Sequence, residues 1–195
     1  AFSGCSSLTS ITLPNSVTVA SDAFDSGTTI TRRKLPSATE AVTMAATWKP
    51  TCASEVVVPD GVTTIVHRAF EGCSSLTSVT LPNSVTRISH RAFEGCSSLT
   101  SITLPNNVTM IGDDAFRGCS SLTSITIPNS VVTIGDGAFH ECSSLTSITL
   151  PNSVTTIGTN YFKGCSSLTS VTVHGVTIAS DAFDSGTTRT GEREL

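Results

Sequence analysis

The chain is short of charge: only 13% of its 195 residues are Asp, Glu, Lys or Arg, against about a quarter in ordinary soluble domains. Fifteen acidic and eleven basic residues leave a net charge of −4, and the one basic cluster is Arg32-Arg33-Lys34. That scarcity argues against nucleic acid or an anionic membrane surface as a partner, since both demand a basic footprint. Long apolar runs are missing too. Nothing approaches the roughly 18 apolar residues of a membrane-spanning helix, so no membrane insertion is expected. Tryptophan and tyrosine occur once each, as Trp48 and Tyr161, whereas phenylalanine occurs eight times; one structural slot filled repeatedly would produce that skew. Chemistry-bearing motifs are equally scarce. There is no glycine-rich phosphate loop, no Cys-x-x-Cys, no zinc-ligand spacing and no Ser, His and Asp set that would share a pocket. The sequence therefore predicts a protein that is not an enzyme and has no cofactor and no bound metal.

What the chain has instead is hydroxyls, with 30 serines and 32 threonines. An apolar share of 38% is enough for a core. The arrangement is periodic. Phe70, Phe93, Phe116, Phe139 and Phe162 stand 23 residues apart, and one pattern runs around them, A-F-E-G-C-S-S-L-T-S-V-T-L-P-N-S-V-T-R-I-S-H-R in the copy at Phe70. Within it Ser78-Val79-Thr80-Leu81 alternates polar and apolar, the signature of a strand with one buried face. Leu-Pro-Asn-Ser then ends the strand, because Pro cannot donate to a ladder and Asn favours a turn. Val85, Ile88 and Ala92-Phe93 follow at three- to five-residue spacing, as in a second turn or short helical segment. One unit cannot bury its own apolar face, but stacked units can. The predicted fold is an α/β repeat: a right-handed solenoid with a parallel β-sheet on one face and turns or short helical segments on the other.

The register predicts a single solenoid over residues 1–195, with regular units at 1–23 and 70–182, degenerate units at 24–69 and an incomplete unit at 183–195. The first unit has 22 residues from Phe2 to Phe24, and the last complete one 21 from Phe162 to Phe183. In the degenerate stretch Leu35-Pro36 and Val58-Pro59 fall on the Leu-Pro column, while Thr47 replaces a Phe with Trp48 beside it. The segments Ala20–Thr29 and Ala179–Thr188 are identical and 159 residues apart. A longer block that is itself repeated would explain this, making the chain a window on a larger protein whose uncapped ends continue or associate end to end.

The text L-x-x-I-T-L-P-x-S-V-T-x-I-G-x-x-A-F-x-G-C, read over Leu99 through Cys119 and Leu122 through Cys142, resembles the BspA-like or Treponema-type leucine-rich repeats of 23 residues. Five full-strength units and two partial ones carry the resemblance along nearly the whole chain. It implies a leucine-rich-repeat solenoid serving adhesion or protein recognition, a protein or glycan partner, and a place at the cell surface or outside the cell.

Stacking turns the repeat into columns. The Leu and Phe columns, with Val79 and Leu81 and their equivalents, are expected in the core. Cys5, Cys73, Cys96, Cys119, Cys142 and Cys165 form another column. Neighbouring rungs about 4.8 Å apart come within disulfide range, yet a parallel stack points side chains the same way, so buried free thiols are expected, with Cys52 off the column. Arg68/Glu71, Arg91/Glu94 and Asp114/Arg117 form i, i+3 pairs suited to an outer helical turn. His67, His90, Asp113 and Asp136 share a column that reads as a solvated edge rather than a metal site.

Two surfaces are candidate binding sites. The sheet face presents Ser78 and Thr80, Ser101 and Thr103, Ser124 and Thr126, and Ser147 and Thr149, a hydroxyl grid with no charge and no aromatic anchor. Such a grid suits weak multivalent protein contacts. In the alternative reading it is a structural or water-ordering face against ice, polysaccharide or mineral. The irregular stretch offers Arg32, Arg33, Lys34, Trp48 and Lys49, where an exposed Trp beside cations would anchor a protein or glycan. Trp48 serves equally well as a plug for the missing Phe.

Overall fold

The computed structural model describes residues 10–14, 29–33, 50–157, 159–174 and 188–190. The chain divides into two compact units, Ala1–Ala41 and Val42–Leu195. In the first, β1 (Ser10–Pro14) pairs in parallel with β2 (Thr29–Arg33). The second is a parallel β-solenoid built from two stacks of short strands.

One stack holds β3 (Glu55–Val57), β5 (Ser78–Thr80), β7 (Ser101–Thr103), β9 (Ser124–Thr126), β11 (Ser147–Leu150), β13 (Ser170–Val173) and β14 (Thr188–Thr190). The other is a continuous five-stranded ladder of two-residue strands: β4 (Thr64–Ile65), β6 (Arg87–Ile88), β8 (Met110–Ile111), β10 (Thr133–Ile134) and β12 (Thr156–Ile157). Glu55 pairs with Ser78 and Thr64 with Arg87, so the degenerate residues 55–65 keep the 23-residue register. The Pro-Asn turn forms as the sequence dictates. Val85, Val108, Val131 and Val154 donate their N–H to the carbonyls of Pro82, Pro105, Pro128 and Pro151, at 3.0–3.1 Å.

Of the turns or short helical segments expected, the segment through the Phe column shows turns. Among the described residues there is no helix, and turns run through this segment instead. Two columns there lie in the left-handed region. Two residues before each Phe stand Arg68, Arg91, Asp114, Gly137 and Asn160, with φ of 52–60°. Two residues after it stand Gly72, Gly95, Gly118, Glu141 and Gly164, with φ of 60–79°. A helix cannot pass through left-handed residues, because its φ is negative throughout. The backbone donors are committed elsewhere as well. The N–H groups of Arg91, Phe93 and Gly95 donate to the carbonyls of Asp113, Ala115 and Arg117 on the next rung, at 2.7–2.9 Å. The same forward-pointing triplet recurs at Arg68, Phe70 and Gly72 and at Asp114, Phe116 and Gly118. On the flanks the sense reverses, with Thr86, Ser89 and Gly112 donating backward to Thr63, Ile65 and Ile88.

Glu141 is the one non-glycine described in the second left-handed column. Its Cβ costs about 1–2 kcal/mol there, and its carboxylate, 3.8 Å from Arg117 and 56% exposed, returns under ~1 kcal/mol. Glu141→Gly should therefore raise the unfolding free energy by about 1 kcal/mol, read from the urea midpoint; a lower midpoint would contradict the assignment.

The core is what the columns predict. Phe70, Phe93, Phe116, Phe139 and Phe162 are buried and stack nearly parallel, with ring centroids 4.9, 5.3, 5.6 and 5.8 Å apart. Leu76, Leu99, Leu122 and Leu145 fill the column beside them. Tyr161 takes the place that Ala92, Ala115 and Ala138 hold on earlier rungs, and its buried hydroxyl donates to the Ile134 carbonyl at 2.8 Å. The equivalent carbonyls of Ile65, Ile88 and Ile111 are served by backbone N–H groups.

The irregular rungs are shorter than the Phe spacing implies. Ser10 pairs with Thr29 and Ser170 with Thr188, offsets of 19 and 18 instead of the predicted 22 and 21. The reason lies in the duplicated decapeptide. From Phe24 to the strand start Thr29 the chain takes 5 residues, whereas from Phe70 to Ser78 it takes 8. Leu13 and Pro14 are accordingly registered with Arg32 and Arg33, not with Leu35 and Pro36.

Candidate binding face

The sheet face is the first candidate. Ser78 and Thr80, Ser101 and Thr103, Ser124 and Thr126, and Ser147 and Thr149 are all exposed, flanking buried Val79, Ile102, Ile125 and Ile148. Strand alternation puts them there, as each strand is buried on one side only. The grid ends at β3, where Glu55 and Val57 occupy the equivalent exposed positions. Val57 is 61% exposed, so a charge and an apolar side chain border the hydroxyls.

The grid is not uniform. Its strands pair as β3–β5, β7–β9 and β11–β13–β14, with no ladder between β5 and β7 or between β9 and β11. The threonine preceding each strand follows the same grouping. Thr77, Thr123 and Thr169 donate their hydroxyls to the carbonyls of Ser54, Thr100 and Thr146, at 2.8–3.2 Å. Among the described residues no such bond crosses from Thr100 to Thr77 or from Thr146 to Thr123. A groove lies at each break. The larger, of about 700 Å³, runs between β9 and β11; the smaller, of about 260 Å³, lies between β5 and β7. A strict sequence repeat gave no signal of this grouping.

Of the second candidate, Arg32 and Arg33 lie at the end of β2. Lys34, Trp48 and Lys49 lie outside the described residues.

The outer charges pair differently from the i, i+3 expectation. Arg68 and Arg91 do meet Glu71 and Glu94, at 3.2 and 3.3 Å. Asp114, however, turns to Arg91 on the preceding rung at 3.5 Å, and Arg117 to Glu141 on the following one at 3.8 Å. Stacking places these long side chains as close across rungs as along the chain.

The histidine column is held by stacking and hydrogen bonds. The His67 and His90 rings stack 5.1 Å apart, and His67 Nδ1 sits 3.2 Å from the His90 carbonyl oxygen. Asp113 and Asp136 accept hydrogen bonds from the backbone N–H of Asp136 and Thr159, at 3.0 and 2.6 Å. Among the described residues no group of three or more His, Cys, Asp or Glu could hold a metal ion.

The cysteine column is only in part a ladder of free thiols. Cys52, two positions off the column, forms a disulfide with Cys73. Cys96, Cys119, Cys142 and Cys165 are buried thiols, and each donates its S–H to the carbonyl of Phe70, Phe93, Phe116 or Phe139 on the preceding rung, at 3.0–3.2 Å. These four thiols thus point at carbonyls rather than at one another, and among the described residues it is the displaced Cys52 that reaches a column sulfur, that of Cys73. Burial pushes the Cys96 thiol up to about 12 from 9.0. The Cys119 and Cys142 thiols are also raised, by burial first and by neighbouring cysteines second. Such thiols are poor nucleophiles and poor metal ligands at neutral pH.

The repeat geometry and the residues that build it match a known family model, described as a BspA type leucine rich repeat region, in six copies over residues 1–97 and 44–169. The chain belongs to the BspA-type leucine-rich repeat family. Among solved structures, this BspA-type chain is similar to a leucine-rich repeat protein of T. pallidum, with 42% identity over 63% of this chain and 59% of that one and a TM-score of 0.61. A leucine-rich cell surface protein of Faecalibacterium prausnitzii shares 30% identity over 86% of this chain and 48% of that one, with a TM-score of 0.63. A leucine-rich repeat protein of Bacteroides ovatus shares 42% identity over 60% and 30%, with a TM-score of 0.58. The chain thus spans between about a third and three fifths of the length of these relatives. No curated protein has a matching sequence. Among the described residues no helix is long and apolar enough to cross a membrane. A BspA-type repeat array is a scaffold, with function carried by whichever surface its rungs display.

Proposed function

We propose that this BspA-type array is a non-catalytic scaffold for adhesion or protein recognition, working at the cell surface or outside the cell, and that the hydroxyl face is its contact surface. The observation that carries the reading is the face itself: paired exposed Ser and Thr on successive rungs, above buried aliphatic residues and free of competing charge until Glu55. Many equivalent weak contacts along such a surface sum to useful avidity. The Faecalibacterium relative is a cell surface protein, which supports the location.

Interferometry against a panel of purified matrix and cell-surface proteins tests this. At least one should bind, and Thr80→Lys with Thr103→Lys should weaken it tenfold or more. The substitutions sit on exposed positions, so folding should survive. Unchanged binding by the double variant, or no binding to any member of the panel, would overturn the proposal.

A further inference from the structure

We infer that the groove between β9 and β11 is a binding site for a neutral oligosaccharide; this rests on the proposed reading only in using the same face. The groove, at about 700 Å³, falls in the range of small-ligand sites. Its apolar residues are Ile125, Ile127, Ile148 and Pro151, all buried to at least nine-tenths of their surface. Around them stand Ser124, Thr126, Ser147 and Thr149, each able both to donate and to accept. Asn129 and Asn152 add amides with the same dual capacity. A sugar ring asks for this combination, since each of its hydroxyls both donates and accepts and its C–H face is apolar. No Asp, Glu, Lys or Arg lines the groove, so an ionised ligand would lose its hydration without gaining a counter-charge.

A second observation points the same way. Ser84 and Ser130, in one column of the repeat, donate their hydroxyls to the Val62 and Val108 carbonyls at 2.8 and 2.6 Å. Ser153 stands in the same column, lines the groove, and has a buried Oγ with no hydrogen-bond partner. Buried polar atoms left alone in a native fold call for an explanation; a rotation of the Ser153 side chain that uncovers Oγ would give it a ligand hydroxyl in the groove as partner. His174 closes the lining, with Nδ1 placed 3.2 Å from the Leu150 carbonyl oxygen.

The test is calorimetric titration of the whole chain with maltotetraose, cellotetraose, mannotetraose and N-acetylchitotetraose. A heparin tetrasaccharide and the peptide Thr-Val-Thr-Val-Thr serve as anionic and strand-forming comparisons. At least one neutral tetrasaccharide should bind in the millimolar range or tighter, and Asn152→Ala and Ser153→Ala should each weaken it fivefold or more. Asn152 is exposed, so its variant keeps the test sound if the Ser153 variant folds poorly. Glu71→Gln, on the outer side, should bind as the parent does. The inference is overturned if no neutral tetrasaccharide binds, if only heparin or the peptide binds, or if Asn152→Ala binds like the parent. Saccharide binding that survives Thr80→Lys with Thr103→Lys while protein binding is lost would separate the two sites. Protein binding without any saccharide binding would sink this inference alone.

Discussion

Replacing Phe116 by alanine should lower the unfolding free energy by about 3–5 kcal/mol. The ring is fully buried and sits between Phe93 and Phe139, with centroids 5.3 and 5.6 Å away. Removing it exposes the faces of two rings to an empty slot. The slot cannot collapse easily, because the backbone on both sides is pinned. Phe93 donates to Ala115, and Phe116 itself donates to Ala138, each at 2.8 Å. A repeat array is stabilised through nearest-neighbour interfaces, so a central hole weakens two interfaces at once. Urea denaturation followed by circular dichroism would measure the loss. A cost below about 1 kcal/mol, the scale of a surface substitution, would mean that the stack contributes little. Phe116→Leu keeps most of the volume and should cost clearly less.

Alkaline pH should unfold the chain through its thiols. Cys96 is held at about 12 in the folded state against 9.0 for a free thiol, and Cys119 and Cys142 are raised as well. The folded thiols therefore keep their protons while those of the unfolded chain begin to lose theirs near pH 9.0. The stabilisation is fully present below that pH and is lost as pH rises towards the folded values. Each thiol contributes a slope of about 1.4 kcal/mol per pH unit, so three together approach about 4 kcal/mol per unit in that window. Urea midpoints measured between pH 9 and 11 should fall steeply in the parent. They should fall much less in a variant with Cys96, Cys119 and Cys142 all replaced by alanine, whatever its starting stability. Equal slopes in the two proteins would dispose of the explanation.

The features legible in the sequence are those that a one-dimensional period determines. Residue 79 must stack on residue 102, so the Val79, Ile102, Ile125 and Ile148 column and the exposed hydroxyls beside it follow directly from spacing. What spacing does not carry is direction. Nothing in the letters Arg91 and Asp114 says that they meet across a rung, because that depends on side-chain reach between stacked turns. The left-handed backbone at Arg68 and Arg91 is not legible because arginine rarely adopts it; Asp114, Gly137 and Asn160 in the same column, and the glycine column after the Phe, are of the types that tolerate it. Cys52 stands off the column, and that displacement is what lets it bridge Cys73. The offsets of 19 and 18 at β2 and β14 do not follow from Phe spacing, because the approach from Phe to strand is shorter there than in the regular units. The grooves were invisible for the opposite reason: near-identical rungs pair unequally, and identical letters cannot show it.

The forward-pointing amides of the Phe segment give every rung two unlike faces. Separating the rungs at Phe93 and Phe116 would leave bare N–H groups on the earlier piece, at Arg91, Phe93 and Gly95, and bare carbonyls on the later piece, at Asp113, Ala115 and Arg117. On the flanks the later piece carries the bare donors, since Gly112 donates to Ile88. Each face is therefore a mixed pattern of donors and acceptors that complements the face of the neighbouring rung, and the direction of the chain is written into that pattern.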